Sequence, residues 1–309
     1  MNTQASPTPE SSPGSQVIAP QEISTMRLFY WSLRRELWEN RSIYVGPLAV
    51  ATLILVASLI SAIHLPGRLH GLTFDPTQQH ELIEQPYDYA ALLLMFTTFV
   101  VAIFYSLDAF QGERRDRSIL FWKSLPVSDF TTVLAKASIP LLLLPLLTFA
   151  ITVATQAIML LIGTARLLGS GQSATLLWGH LPFFRMSVQL LYHLVTVHGL
   201  WWAPFYGWML LISAWARRVA FLWATLPLLA IGMVEKIAFN TTYFAGLLQV
   251  QFMGGPEGAS SGGQDMSMAS LTPASPVQFL ISPRFWIGLA ITAIFLAAAV
   301  RLRRNREPV

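Results

Sequence analysis

Residues 105–129 read YSLDAFQGERRDRSILFWKSLPVSD, a charged and aromatic island between two long apolar runs. A charge at the middle of a bilayer costs about 2.5 to 3.5 kcal/mol, so a chain that is apolar on both sides of this island has to surface here. The basic residues Arg114, Arg115, Arg117 and Lys123 set the side, because short loops rich in Lys and Arg stay cytoplasmic. The island divides in two. Gly112 to Arg117 (Gly-Glu-Arg-Arg-Asp-Arg) makes a charged turn, and Ser118 to Leu125 makes a short apolar helix stopped by Pro126, after which Ser128 or Asp129 caps the next helix. Phe121 and Leu125 lie four apart with Trp122 beside them, an aromatic knob suited to a cleft on a soluble partner.

On either side of the island the composition is that of a polytopic membrane protein. Of the 309 residues, 54% are apolar and 12% charged, about half the usual share of charge in soluble domains. The net charge of +4 does not mark a nucleic-acid binder, because the basic residues sit at the ends of apolar runs and not on one face of a soluble domain. With no cysteine, disulfides, thiol chemistry and Cys-based zinc sites are excluded. Residues 1–24 are rich in Ser, Pro and Gln and lack both Lys/Arg and an apolar core, so they fail as a secretory signal and are expected to form a disordered cytoplasmic tail.

Residues 25–306 are expected to form one all-α domain with six spans at about 42–63, 89–110, 133–163, 188–216, 219–238 and 285–300. A span needs roughly 20 residues; the sixth is short, and the third and fourth are over-long but carry Pro140, Pro145, Pro204, Gly199 and Gly207, which allow kinks. An N-terminus placed inside leaves fifteen of the twenty Lys and Arg residues cytoplasmic. Only Arg68, Arg166, Arg185, Lys236 and Arg284 fall outside, which supports both termini being cytoplasmic. The outer connection 240–283 holds a flexible Gly/Ser-rich stretch at 254–264.

Ahead of the first span, Met26 to Arg41 reads as an amphipathic interfacial helix. Met26, Phe29, Tyr30, Leu33 and Leu37 share one face, and Ser32, Arg35, Glu36 and Glu39 share the other, with Trp31 and Trp38 at headgroup level. Asp108 is expected to pair with a nearby Arg. His193 and His198, five apart in the fourth span, fall on different faces of an α-helix. His80 and Glu84 carry a fragment of the metalloprotease pattern without a third ligand, and a solvated outer loop explains them better. Neither a phosphate-binding Gly-x-x-x-x-Gly-Lys-Ser/Thr loop nor a Gly-x-Ser-x-Gly elbow occurs, so ATP, if used, binds another chain.

The six spans, the leader helix and the island together resemble the permease subunit of the type-2 bacterial ATP-binding-cassette exporters. In topology the resemblance covers about 26–306. In residues it is sharp from Tyr105 to Lys136, on Glu113, Arg114-Arg115, Leu125-Pro126 and Lys136. It implies a half-transporter in the bacterial inner membrane: two permease chains, identical or different, above two separate ATPase subunits that hold the ATP and Mg, with no cofactor and no catalysis on this chain. It makes Met26 to Arg41 the connecting helix and Gly112 to Pro126 the coupling helix. The ATPase interface is then Glu113, Arg114, Arg115, Asp116, Arg117, Phe121, Trp122, Lys123 and Leu125. The rival readings are an ion- or proton-coupled secondary transporter, for which His193, His198, Glu235 and Lys236 are the available ionisable groups, and a membrane-embedded metal-dependent hydrolase using His80 and Glu84. The resemblance does not carry over the cargo.

Overall fold

The computed structural model describes residues 24–66, 83–115, 127–171, 173–252 and 280–305. The tail before Ser24, His80, the residues from Asp116 to Pro126 and the Gly/Ser-rich stretch 254–264 lie outside the described residues. Every element among the described residues is helical. In chain order these are α1 (Thr25–Glu39), α2 (Ser42–Ala62), α3 (Gln85–Asp108), α4 (Gln111–Arg115), α5 (Asp129–Gly169), α6 (Thr175–His180), α7 (Phe183–His193), α8 (Ala203–Trp215), α9 (Ala220–Phe239), α10 (Tyr243–Phe252) and α11 (Pro283–Asn305).

Five of these, α2, α3, α5, α9 and α11, are long and apolar enough to cross a membrane, which makes this a membrane-embedded protein. Leu53, Leu59 and Ile60 on α2, Leu229, Met233 and Ile237 on α9, and Ile287 and Ile294 on α11 point outward. A helix that is apolar all round, with large side chains on its outer face, is made for hydrocarbon. α3 and α5 sit deeper: half of the apolar window of α3 is buried, against 11% for α9.

The apolar stretch 188–216 is not one α-helix. It runs as α7, then a π-helical segment Leu194–Trp201, then a turn at Trp202 before α8. Pro204 in the first turn of α8 removes an N–H that a continuous helix would need. α5 carries a shorter π-helical segment, Ile139–Leu143, whose second residue is Pro140; the wider turn accommodates a ring that a straight α-helix would clash with. At its start, Ser128 Oγ accepts the N–H of Thr131 at 3.1 Å, so Ser128 is the cap.

The main core cluster gathers Ile43 of α2, Ala102, Tyr105 and Phe110 of α3 and the residues after it, Val133, Ile139 and Leu144 of α5, Tyr206 and Leu210 of α8, and Ala299 of α11. α8 and α11 form the most extensive helix pair; Gly207 lets them approach, since a Cβ there would stand 3.3 Å from Thr292 Cγ2.

Candidate functional site: an ionic hub at one end of the bundle

α1 turns its charged side inward. Glu36 is 1% exposed and Arg35 is largely covered, whereas Trp31 and Trp38 are 57% and 71% exposed. The sequence pattern grouped Arg35 and Glu36 on one face, and the structure turns that face toward the bundle. The cause lies in the partners: Lys136, 2% exposed in an apolar helix, needs a carboxylate, and Glu36 supplies it at 2.8 Å. On the outer side, Arg34 stacks over both indoles, 5.2 Å from the Trp31 ring and 5.3 Å from the Trp38 ring. Leu33 and Leu37 pack against the main core.

Glu113 of α4 is the centre of the cluster. Its Oε1 meets Arg35 Nη2 at 3.1 Å and Lys136 Nζ at 3.2 Å, and its Oε2 meets Arg303 Nη1 at 3.0 Å. Arg303 Nε donates to Asp129 Oδ1 at 2.9 Å, and Tyr105 Oη donates to Glu36 Oε2 at 3.0 Å. The Phe110 ring plates the group, 5.4 Å from Lys136 Nζ and 5.7 Å from Arg303 Cζ. Three carboxylates (Glu36, Glu113, Asp129) thus face three cations (Arg35, Lys136, Arg303), with Glu39 adding a 3.6 Å contact to Arg35 from the rim. Burial alone would raise the Glu36 carboxyl, but the charges of Lys136 and Arg35 and their hydrogen bonds outweigh it and hold the group below the ordinary carboxylate range.

The rest of α4 binds the other helix ends. The Arg114 guanidinium donates to the carbonyls of Ser213, Ala214 (2.7 Å) and Ala216 (2.9 Å), capping the C-terminus of α8 with positive charge where the helix dipole is negative. Ser213 Oγ in return accepts the N–H groups of Phe110 and Gln111 at 3.0 and 3.3 Å, and Gln111 Oε1 accepts the N–H of Ala220, the first residue of α9, at 3.2 Å. The intervening turn is strained. Val219, a β-branched residue, sits at φ 50°, ψ 59°, a region where such residues are outliers. Gln111, Glu113 and Arg114 of α4 therefore tie the ends of α1, α5, α8, α9 and α11 together.

Of the residues proposed as an ATPase interface, Glu113 points into the bundle, Arg114 caps α8, and Arg115 is 70% exposed with a 3.9 Å contact to Asp108. Asp116, Arg117, Phe121, Trp122, Lys123 and Leu125 lie outside the described residues. Glu84 stands just before α3. His193 and His198 are both 5% exposed, and the π segment changes their relation: its backbone repeat brings residues five apart into register, so the α-helical spacing that separated them does not hold. The sequence reading singled out Glu113 and Lys136 but left Arg303, Asp129, Tyr105 and the inward turn of Arg35 and Glu36 unseen. The available signal was the adjacent ionic pair set between Leu33 and Leu37.

Comparison with known proteins gave no match: no family model, no curated protein and no solved structure matches this chain.

Proposed function

We propose that this chain is the permease subunit of an ATP-driven exporter in a bacterial inner membrane, working with a separate ATPase subunit and a second permease chain. The observation that carries this reading is α4. It lies just ahead in sequence of the segment that holds Phe121, Trp122 and Leu125, and its side chains hold the ends of five other helices. A partner that binds that segment has a covalent and ionic route into the whole bundle, which is what a transport cycle driven from outside the membrane requires.

In this reading the fourth apolar stretch crosses the membrane as α7, the π segment and α8 together, giving six spans and placing both termini and the hub on the cytoplasmic side. The positive-inside count supports that orientation. α1 is then the connecting helix, lying in the interface with Trp31 and Trp38 at headgroup level and its charged side held by the hub. The chain itself carries no catalysis. The test is reconstitution: the purified chain alone should neither bind nor hydrolyse ATP, and transport into vesicles should appear only when the partner ATPase is added. Hydrolysis by the isolated chain, with contaminating ATPases excluded, would overturn the reading.

A further inference from the structure

The two π-helical segments meet inside the bundle. Their backbones touch at Gly199, where a Cβ would stand 2.6 Å from the Leu141 carbonyl oxygen, so no other residue fits. Beside this crossing lies an aromatic cluster. The His198 ring is 6.3 Å from Phe99 and 6.4 Å from Tyr206, and Phe99 stands edge-on to Trp202 at 4.5 Å. His193 lies within electrostatic reach of His198. His198 is 5% exposed and Tyr206 is fully buried, yet His198 Nε2 and Tyr206 Oη make no hydrogen bond. Buried polar atoms left unpaired are costly and rare in native folds, and they call for a reason other than stability. π segments within α-helices, for their part, gather at functional sites.

We propose that His198 and Tyr206, walled by Phe99 and Trp202, bind an uncharged aromatic molecule that carries a hydrogen-bonding group. Each part of that class answers a part of the site. The rings of Phe99, Trp202 and Tyr206 offer edge-to-face and stacking contacts. The imidazole nitrogen and the phenol fix orientation, in the usual pattern of an apolar pocket with a few placed polar groups. Phe99, Trp202 and Tyr206 carry no charge, so a charged ligand would meet no counter-charge in these walls and would bear the full cost of leaving water. The site is closed to solvent in this structure, so the proposal includes a parting of the two π segments at Gly199, where the Leu141 carbonyl meets the backbone, to admit the ligand. The binding site stands independently of the permease reading; only calling its ligand cargo rests on that reading, and a binding assay on the chain without an ATPase keeps the two failures apart.

The full-length chain in lipid nanodiscs is titrated with N-phenyl-1-naphthylamine, an uncharged aromatic amine, and with 8-anilinonaphthalene-1-sulfonate, which has the same rings and a negative charge. Empty nanodiscs supply the partition background. The uncharged probe should bind saturably, and His198→Phe and Tyr206→Phe should each weaken it about tenfold, the effect of losing one hydrogen bond. Because Tyr206→Phe deletes an atom that the fold leaves unpaired, its thermal midpoint should stay unchanged or rise. Binding no better than to empty nanodiscs, binding indifferent to both substitutions, or a His198-dependent preference for the sulfonate would overturn the proposal. So would a lowered midpoint for Tyr206→Phe, which would mean that the hydroxyl already has a partner in the fold.

Discussion

Where α1, α4, α5 and α11 meet, six ionic side chains, most of them buried, close on one another. At the other end of the bundle the described contacts are neutral or local. Trp178 Nε1 donates to Thr164 Oγ1 at 3.0 Å and Trp201 Nε1 to the Gln251 carbonyl at 3.0 Å, while Glu235 caps α10 through the N–H groups of Tyr243 and Phe244. The difference is one of failure mode. A neutral hydrogen bond contributes about 1 kcal/mol and breaks alone. A buried ionic cluster gains little over apolar packing while complete, but losing one member strands the others as uncompensated charge. The ionic end is therefore lost as a unit, whereas contacts at the other end can be lost one at a time.

Removing the centre of the cluster gives the largest expected effect. Glu113→Ala leaves Arg35, Lys136 and Arg303 without a shared carboxylate and should destabilise the chain by about 3 to 5 kcal/mol, read from unfolding of the purified protein. Gln251→Ala, at the opposite end, should cost about 1 kcal/mol. Equal losses at the two sites would erase the distinction between the ends.

The long helices were legible in the sequence because long apolar runs have one reading in a membrane protein, whereas the short helices α4, α6 and α10 were not drawn from hydropathy. Five of the stretches drawn from hydropathy correspond to α2, α3, α5, α9 and α11. The fourth was legible as apolar but not as broken, because hydropathy does not register how Gly199 and Pro204 divide the backbone between π turns and α turns. The hub was half legible. Glu113 and Lys136 were singled out by the resemblance, but the inward turn of Arg35 and Glu36 depends on partners 78 and 100 residues away. Periodicity within α1 placed those side chains on one face correctly and said nothing of which way that face looked.

Acid titration sharpens the comparison next. The Glu36 carboxyl is held below its ordinary range in the folded chain, so as pH falls the unfolded state takes up the proton first. The stabilisation from this group is complete above the unfolded carboxyl value of about 4.3 and is lost as pH falls through the folded value. Unfolding midpoints measured from about pH 7 down to about pH 3 should drop steeply for the wild type and less steeply for Glu36→Gln. Parallel curves would remove Glu36 from the cluster's energetics.

The smallest effect concerns the strained turn that α4 holds. Val219→Gly relieves a left-handed β-branched residue, a strain of about 1 to 2 kcal/mol, partly offset by the extra freedom of glycine in the unfolded chain. A net gain below about 1 kcal/mol in the unfolding free energy is expected. A loss would mean that the Val219 side chain contributes packing beyond its exposed position.

The claim that α4 passes a partner's movement into the bundle rests on the partner binding the segment just after it. The affinity of the proposed ATPase partner for the full-length chain, compared between wild type and the Phe121→Ala, Trp122→Ala variant, tests this most directly. Each aromatic truncation at a buried contact costs about 2 kcal/mol, roughly thirtyfold, so association and transport should both fall while Glu81→Ala and Glu84→Ala leave association unchanged. Full ATPase affinity and full transport in the Phe121 and Trp122 variant would contradict the coupling role and leave the island as a topology signal alone.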